Sequence, residues 1–413
     1  MAGGPRSGSG LLTSVVPLFL GLALLMVGNG LLGTLIGVRA DIEGFSTIVI
    51  GAVMSSYYVG FLLGSLAIPR WLVTVGHIRV FAGLAALAAA TALAHSLLVT
   101  PVVWAGLRFI VGLCLSGLYV TVESWLHDRA TNETRGRLLS VYMLVVTFGL
   151  GTGQVLLGVA DPLDTTLFIL VGMLISLAVV PVAMVRMPTP GEVIRVKLSL
   201  RDLGRTAPLG VVAVAVAGAA GSSVLALGAV YAIRIGIDPS RVGVFVAAAM
   251  AGGAVTQYPL GYLSDRVPRR RVILGIALAA IVVAVAGAVA DPDSSLQFVV
   301  AAAFGGLAFP LYSIAVSHVN DVMPEHQLVA AAAGTIFVYG IGSVVGPLLL
   351  SVLMEIWGPS GYFWGLAVYF VPLVLYATVR IIAKERPTQR DFVSLPVRSS
   401  TAAVLLAEST DED

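Results

Sequence analysis

The chain has 413 residues, of which 58% are apolar and 11% charged, with a formal net charge of +2. Charged groups this sparse cannot solvate the surface of a soluble protein of that length, and the near-neutral balance excludes a nucleic-acid partner. A single cysteine, Cys114, excludes an intramolecular disulfide. A bilayer core is crossed by about 20 apolar residues in helical form. Runs of that size recur at 12–37, 46–69, 79–99, 101–126, 138–160, 163–186, 208–233, 241–263, 272–290, 296–320, 328–356 and 360–382. They predict an all-α integral membrane protein with twelve transmembrane helices, numbered here as spans 1 to 12. The runs are too long for the strands of an outer-membrane barrel. The first has no small-residue cleavage site behind it and reads as a retained helix.

Taken in chain order, span 1 carries Asn29 and span 2 carries Tyr57. Span 4 holds Arg108, about two turns in from its start. An Arg near the bilayer centre costs about 2.5–3.5 kcal/mol on insertion scales, so it faces a cavity or a partner. The structural alternatives are snorkelling outward or bonding to carbonyls of span 1. Glu123 follows fifteen positions later, about 22 Å along the helix and only about 60° around it. The two cannot pair but can face one cavity, where Glu123 could carry a proton; otherwise it pairs with Arg129 or Arg135 at the mouth of the span. Tyr119 lies between them, Asp128 ends span 4, and Gln154 is on span 5.

A polar stretch from Met187 to Pro208 divides the chain. Its 193–203 part is an amphipathic surface segment or a solvated linker. Beyond it come Ser222 and Ser223 on span 7, Gln257 on span 8, Tyr312 and His318 on span 10, and Tyr339 on span 11, with Asp321 ending span 10. Histidine changes charge near neutral pH, and His318 is expected to face Glu123 across one vestibule. The uncharged polar groups either join helices by hydrogen bonds, which are ordinary in membranes, or line a moderately polar, aromatic cavity. His77, His127 and His326 fall in loops and read as solvated. The Gly-rich stretches GLGTGQ and GIGSVVGP on spans 5 and 11 allow close backbone approach.

Lys and Arg placement sets the orientation. With both termini cytoplasmic, twenty of the 24 basic residues lie on the cytoplasmic side, while Arg39, Arg234 and Arg241 lie outside with Asp41, Glu43, Asp161, Asp164, Asp238, Asp291 and Asp293. The chain also repeats itself. A slide of 192 residues places Gly51 on Gly243, Gly60 on Gly252 and Arg79 on Arg271; a slide of 193 places Gly112 on Gly305, Tyr119 on Tyr312, Asp128 on Asp321, Gly149 on Gly342 and Gly153 on Gly346. This predicts two homologous six-helix bundles, 1–190 and 208–383, joined by a cytoplasmic linker at 191–207 and followed by a disordered tail at 384–413.

The segment GYLSDRVPRRR, Gly261 to Arg271, between spans 8 and 9, resembles the loop signature of the major facilitator superfamily of secondary transporters, with Pro268 where that family usually has Gly. Parallel halves are that family's arrangement. The stretches ESW and EHQLV are similar to an uncharacterised, drug-transporter-like bacterial branch. RFIVG, from Arg108, resembles a span 4 pattern of proton-coupled members, and GIGSVVGP resembles a Gly-Pro motif associated with antiporters, although that motif belongs on span 5, where this chain has Gly153-Gln154 and no Pro. The resemblance implies a multi-pass carrier of the plasma (inner) membrane, monomeric by family default, moving a small-molecule substrate by alternating access. Spans 1, 4, 7 and 10 would line the cavity. The resemblance also implies a conformational latch from Gly261, Asp265, Arg266, Arg269 and Arg270, with Asp321 pairing to Arg269 or Arg270. In the N-terminal copy Pro69, Val73 and Thr74 replace the signature residues, leaving Gly76 and Arg79, with Asp128 as a weaker partner of Arg79.

The leading expectation is proton-coupled, outward movement of a small amphipathic organic compound, with Arg108, Glu123 and His318 handling charge and proton. The first rival is import of a polar nutrient or organic anion, with Arg108 as counter-charge. The second is a non-transporting sensor or scaffold. Nucleotide loops, metal-ligand clusters and a catalytic domain are missing from the sequence. An enzyme, a cofactor and a metal are therefore not expected, and proton or substrate gradients would supply the drive.

Overall fold

The computed structural model describes residues 8–129, 132–184, 200–292, 294–324 and 327–382, with the side chains of 8–15, 127–129, 132–133, 135 and 329 excepted. The expected bundle boundaries near 190 and 383, the linker up to residue 199 and the tail lie outside the described residues, as do His326 and the side chains of His127 and Asp128.

Among the described residues, twelve helices are long and apolar enough to cross a membrane. In chain order the helices are α1 (Gly8–Ile42), α2 (Thr47–Val75), α3 (His77–Leu97), α4 (Pro101–Arg129) and α5 (Asn132–Val155), which ends in a short 3-10 turn (Leu156–Val159). Span 6 is α6 (Thr166–Leu177) continued by α7 (Val179–Ala183), and α8 (Leu200–Thr206) is a short connecting helix. Then follow α9 (Pro208–Arg234), α10 (Pro239–Arg266), α11 (Arg269–Val289), α12 (Leu296–Val322), α13 (Leu328–Trp357) and α14 (Gly361–Ile382). Local chemistry sets the ends. Ser46 caps α2 by accepting from the Val49 N–H, and Asp238 caps α10 by accepting from the Ser240 N–H at 2.9 Å. Gly76, at φ 93°, turns the chain between α2 and α3 in a conformation that side chains disfavour.

The repeat is visible in the packing. Bare glycine faces let α2 and α4 cross closely: a Cβ at Gly60 would strike the Phe109 carbonyl, and one at Gly112 the Tyr57 carbonyl. The same crossing recurs between α10 and α12, where Gly252 lies against the Ala302 carbonyl and Gly305 against the Ala249 carbonyl. Each of these residues is the repeat partner of its counterpart. Gly153 of α5 against α1 and Gly346 of α13 against α9 repeat the pattern. Without lipid-dependent hydrophobic gain, such close packing is what joins helices in a bilayer.

The halves meet along three seams: α2 with α13, α5 with α10, and α1 with α9. The first two are again mirror images, with Gly51 on the Pro347 carbonyl and Gly243 on the Gln154 carbonyl. Hydrogen bonds across the halves run from Tyr58 and Ser222 to Arg234, Asp41, Thr47 and Glu355. All of these lie away from the basic loops that follow α2 and α10. Among the described residues, α4 and α12 make no substantial contact with one another at the basic end. The described parts of the halves are thus bridged at one end and, at α4 and α12, parted at the basic end.

Candidate functional site

A cleft between the halves is lined by Asn29, Gly30 and Gly33 of α1, Met54, Tyr57 and Tyr58 of α2, Arg108 of α4, Leu150 and Gln154 of α5, Leu225 of α9 and Met250 of α10. Its cavity volume is about 40 Å³, so the cleft is narrow and falls short of the few hundred Å³, on the order of 300 or more, that hold a drug-sized ligand. Arg108 is seven residues into α4, about 10 Å below the closed end. The Gly112 crossing sits one turn further on and brings Tyr57 alongside, with the guanidinium carbon 4.7 Å from the Tyr57 ring centre. A desolvated cation over an aromatic face gains about 2 kcal/mol, and the ring fixes the plane in which the guanidinium N–H groups point.

Tyr57 and Gln154 are each 4% exposed, and the Tyr57 hydroxyl and Gln154 Oε1 make no hydrogen bond within the protein. Leaving such groups unmatched costs about 1–3 kcal/mol each, so their place on the cleft wall suits a polar ligand. The lining contains one guanidinium, several neutral polar groups, apolar Met54, Leu150, Leu225 and Met250, and no carboxylate. Its electrostatics therefore favour an acceptor-rich or anionic head with an apolar body.

Of the residues singled out in the sequence, Asn29, Tyr57, Arg108 and Gln154 come together here. The others lie elsewhere. Glu123 is 2% exposed and accepts from the Tyr142 hydroxyl at 2.7 Å, between α4 and α5. His318 is 5% exposed within the C-terminal half, where Arg269, Arg270 and Arg380 act on it electrostatically. The two lie in different halves, each buried. Tyr119 donates to the Met26 sulfur, Ser222 to the Ala219 carbonyl, and Gln257 to Ser313 Oγ at 3.1 Å. Ser223 pairs with the Tyr369 hydroxyl, and Tyr312 packs edge-on against Tyr339. These contacts mostly hold helices together.

The basic loop forms a charge cluster inside the C-terminal half. The buried Arg269 side chain pairs with Asp321 on α12 and with Asp265 on α10 at 3.1 Å. Arg270 donates to the Arg380 carbonyl at the end of α14, Arg266 lies 3.9 Å over the Tyr262 ring, and Gly261 is buried beneath them. Arg79 is exposed on α3, and the Asp128 side chain proposed as its partner is outside the described ones. His77 corrects an expectation: as the first residue of α3 it is 6% exposed and packs on Trp125, so it is not a solvated loop residue. It stands at the repeat position of Arg269, the first residue of α11.

Sequence reasoning also missed Tyr58, Met54, Leu225 and Met250 in the cleft wall, and His95. The last is fully buried; its Nδ1 lies 2.8 Å from the Thr91 carbonyl and its own carbonyl accepts from Trp104. Nothing in an evenly apolar helix marks which flank such residues occupy.

Twelve spans in two mirrored sets, around a cleft built from both, define a polytopic membrane transporter. The Major Facilitator Superfamily profile matches residues 18–234 and 209–407. An uncharacterised MFS-type transporter of Enterobacter sp. strain 638 is 30% identical over 346 residues, covering 83% of this chain and 89% of the relative. The uncharacterised MFS-type transporter YcaD of Escherichia fergusonii is 29% identical over the same shares. Among solved structures, the nucleoside transporter NupG superposes with a TM-score of 0.74 at 14% identity, covering 91% of this chain and 99% of NupG. A bacterial homologue of the human lysosomal transporter Spinster, in an inward-facing unoccupied conformation, gives 0.71 at 15%, covering 91% of this chain and 96% of that one. The chain belongs to the Major Facilitator Superfamily: it is a multi-pass protein of the bacterial inner membrane and a transporter of small molecules, with a membrane-transport rather than an enzymatic family behind it.

Proposed function

We propose that the chain carries a small amphipathic organic compound with an anionic or acceptor-rich head, by alternating access, outward and in exchange for protons. The observation that supports this substrate class is the cleft lining, in which Arg108 is the one charged group and apolar side chains from both halves complete the wall. Tyr57 aligns Arg108, and Asn29, Gln154 and the Tyr57 hydroxyl receive the rest of the head. The Lys and Arg distribution puts the basic end in the cytoplasm, so the parted end faces inward. Glu123, held by Tyr142, is the proton site in this reading.

Import of an organic anion without Glu123 is the second reading, favoured by the distance of Glu123 from the cleft wall. One experiment separates the two: proteoliposomes carrying a pH dye, challenged with anionic, neutral and cationic amphiphiles, for wild type, Arg108→Gln and Glu123→Gln. Anion-selective flux lost in Arg108→Gln supports the substrate class, and proton movement lost in Glu123→Gln supports the exchange. Flux that needs Arg108 and ignores Glu123 selects the second reading. Selectivity for cations rejects both.

A further inference from the structure

The closed end carries a polar cluster that joins the halves and that neither the loop signature nor the cleft accounts for. Arg234 ends α9 in the C-terminal half, where a cation suits the helix dipole. Its Nε and Nη2 both reach Asp41 Oδ1 at 2.7 Å, near the end of α1 in the N-terminal half. Its Nη1 donates to the Thr47 hydroxyl at 2.7 Å, in the first turn of α2. The Thr47 backbone N–H in turn donates to Glu355 Oε2 at 2.9 Å, near the end of α13. A carboxylate from one half therefore caps a helix of the other, and a guanidinium from that same half crosses back to a carboxylate. Four residues on four helices, two from each half, form a continuous chain of charge-assisted hydrogen bonds, which are about twice as strong as neutral ones.

The cluster has no repeat counterpart. By the same offsets, the positions matching Asp41, Thr47 and Glu355 are Ile233, Pro239 and Pro162, none of which can take part in such bonding through a side chain. The mirrored seam between α5 and α10 is built instead from glycines, with Gly158 against the Ser240 carbonyl and Gly243 against Gln154. Among the described residues, one of the two seams related by the repeat is clamped by charges and the other is only packed.

We propose that Asp41, Thr47, Arg234 and Glu355 form a clamp that holds the halves together at the end away from the basic loops, and that its release is a required step in opening that end. The Asp41 and Arg234 side chains are 13% and 25% exposed, so water reaches the clamp and can replace its bonds on release. Neighbouring charges leave it intact: Arg39 is occupied with Glu43 and with the Pro162 and Leu163 carbonyls, and Asp238 with Ser240.

The test uses pairs of spin labels on the full chain in liposomes, and needs no substrate, so it stands or falls separately from the reading of the cleft. One pair, at Leu163 and Leu296, spans the halves at the clamped end; another, at Val73 and Leu263, spans them at the basic end. All four positions are exposed, and the native Cys114 is buried. Arg234→Gln is expected to raise the population with long Leu163–Leu296 separations at least about tenfold and to shorten Val73–Leu263 in parallel, whereas Arg234→Lys stays near wild type. Thr47→Val, a smaller change, shifts both pairs in the same direction by less. Unchanged distributions in Arg234→Gln and Thr47→Val overturn the proposal. So does lengthening at the clamped end without shortening at the basic end, which marks loosened packing and not a released clamp.

Discussion

The two halves share a scaffold and differ in chemistry. Gly60 and Gly252, Gly112 and Gly305, Gly51 and Gly243 make equivalent close approaches in each. Yet the repeat partner of Arg108 is Ala301, that of Tyr57 is Ala249, that of Asn29 is Gly221, and that of Gln154 is Pro347. The N-terminal half supplies the polar wall of the cleft and the C-terminal half an apolar one. At the basic end the inequality reverses: Arg269 with Asp265 and Asp321 faces His77 with Val73 and Asp128 at the matching positions. Features that set helix crossing angles are kept in both copies because both copies must fold; features that meet a ligand or hold a charge network appear in one.

The shared part breaks most severely. Gly112→Val and Gly305→Val each force a side chain into a neighbouring backbone carbonyl, and both are expected to abolish recovery of folded protein in detergent size-exclusion runs. Gly83→Ala and Gly275→Ala, whose Cβ positions face open space, should elute as wild type. If one crossing tolerated valine and its mirror did not, the equivalence of the halves would fail.

The unshared charge cluster comes next. Arg269→Gln removes a cation paired with the Asp321 side chain, 3% exposed, and breaking a buried pair costs about 3–5 kcal/mol. Arg79→Gln, at an exposed position of the other half, should stay within about 0.5 kcal/mol. Thermal unfolding of the two variants side by side measures the difference. For the unshared cleft chemistry, Arg108→Gln is expected to weaken uptake of an anionic substrate by roughly 10- to 100-fold, the worth of a hydrogen bond to a charged group. Ala301→Ser in the mirror position, buried but outside the cleft lining, should alter it less than about twofold.

The smallest contrast lies at two helix starts. Asp238 caps α10 and Ser46, its repeat partner, caps α2. Hydrogen bonds from the Ser240 hydroxyl and N–H hold the Asp238 carboxyl below the usual carboxylate range. A depressed carboxyl contributes stability above its unfolded value, and that contribution disappears as pH falls through the folded one. Amide exchange in the first turn of α10 should therefore rise, relative to α2, below about pH 4. Equal behaviour of the two turns would remove the distinction.

Much of this was legible in the residues. Spans about 20 residues long announce themselves by composition, and the repeat offsets of 192 and 193 align the helix starts: α3 and α11 begin at His77 and Arg269. Arg108 lines the cleft, and its cost in a bilayer is what draws attention to it in the sequence. Glu123 is not among the cleft-lining residues; a shift of one residue turns a helix face by about 100°, and an evenly apolar helix gives no internal reference for direction. His77 misled because a helix start and a loop look alike when Gly76 precedes both. The clamp was unreadable since its partners lie on four helices from distant parts of the chain, and the cross-half cap is made to a backbone N–H that no side-chain pattern reveals.

The one-sided cleft has a consequence for how cargo travels. Although the carrier is built as a duplicate, it offers a single cationic anchor, so one molecule of the anionic compound proposed here binds at a time, with its head toward the N-terminal half and its tail toward the C-terminal half. In the alternating-access reading proposed above, rocking of the halves changes which side of the membrane is reached and leaves that pose undisturbed. A compound held this way crosses without turning over, and its handedness is presented identically on entry and exit.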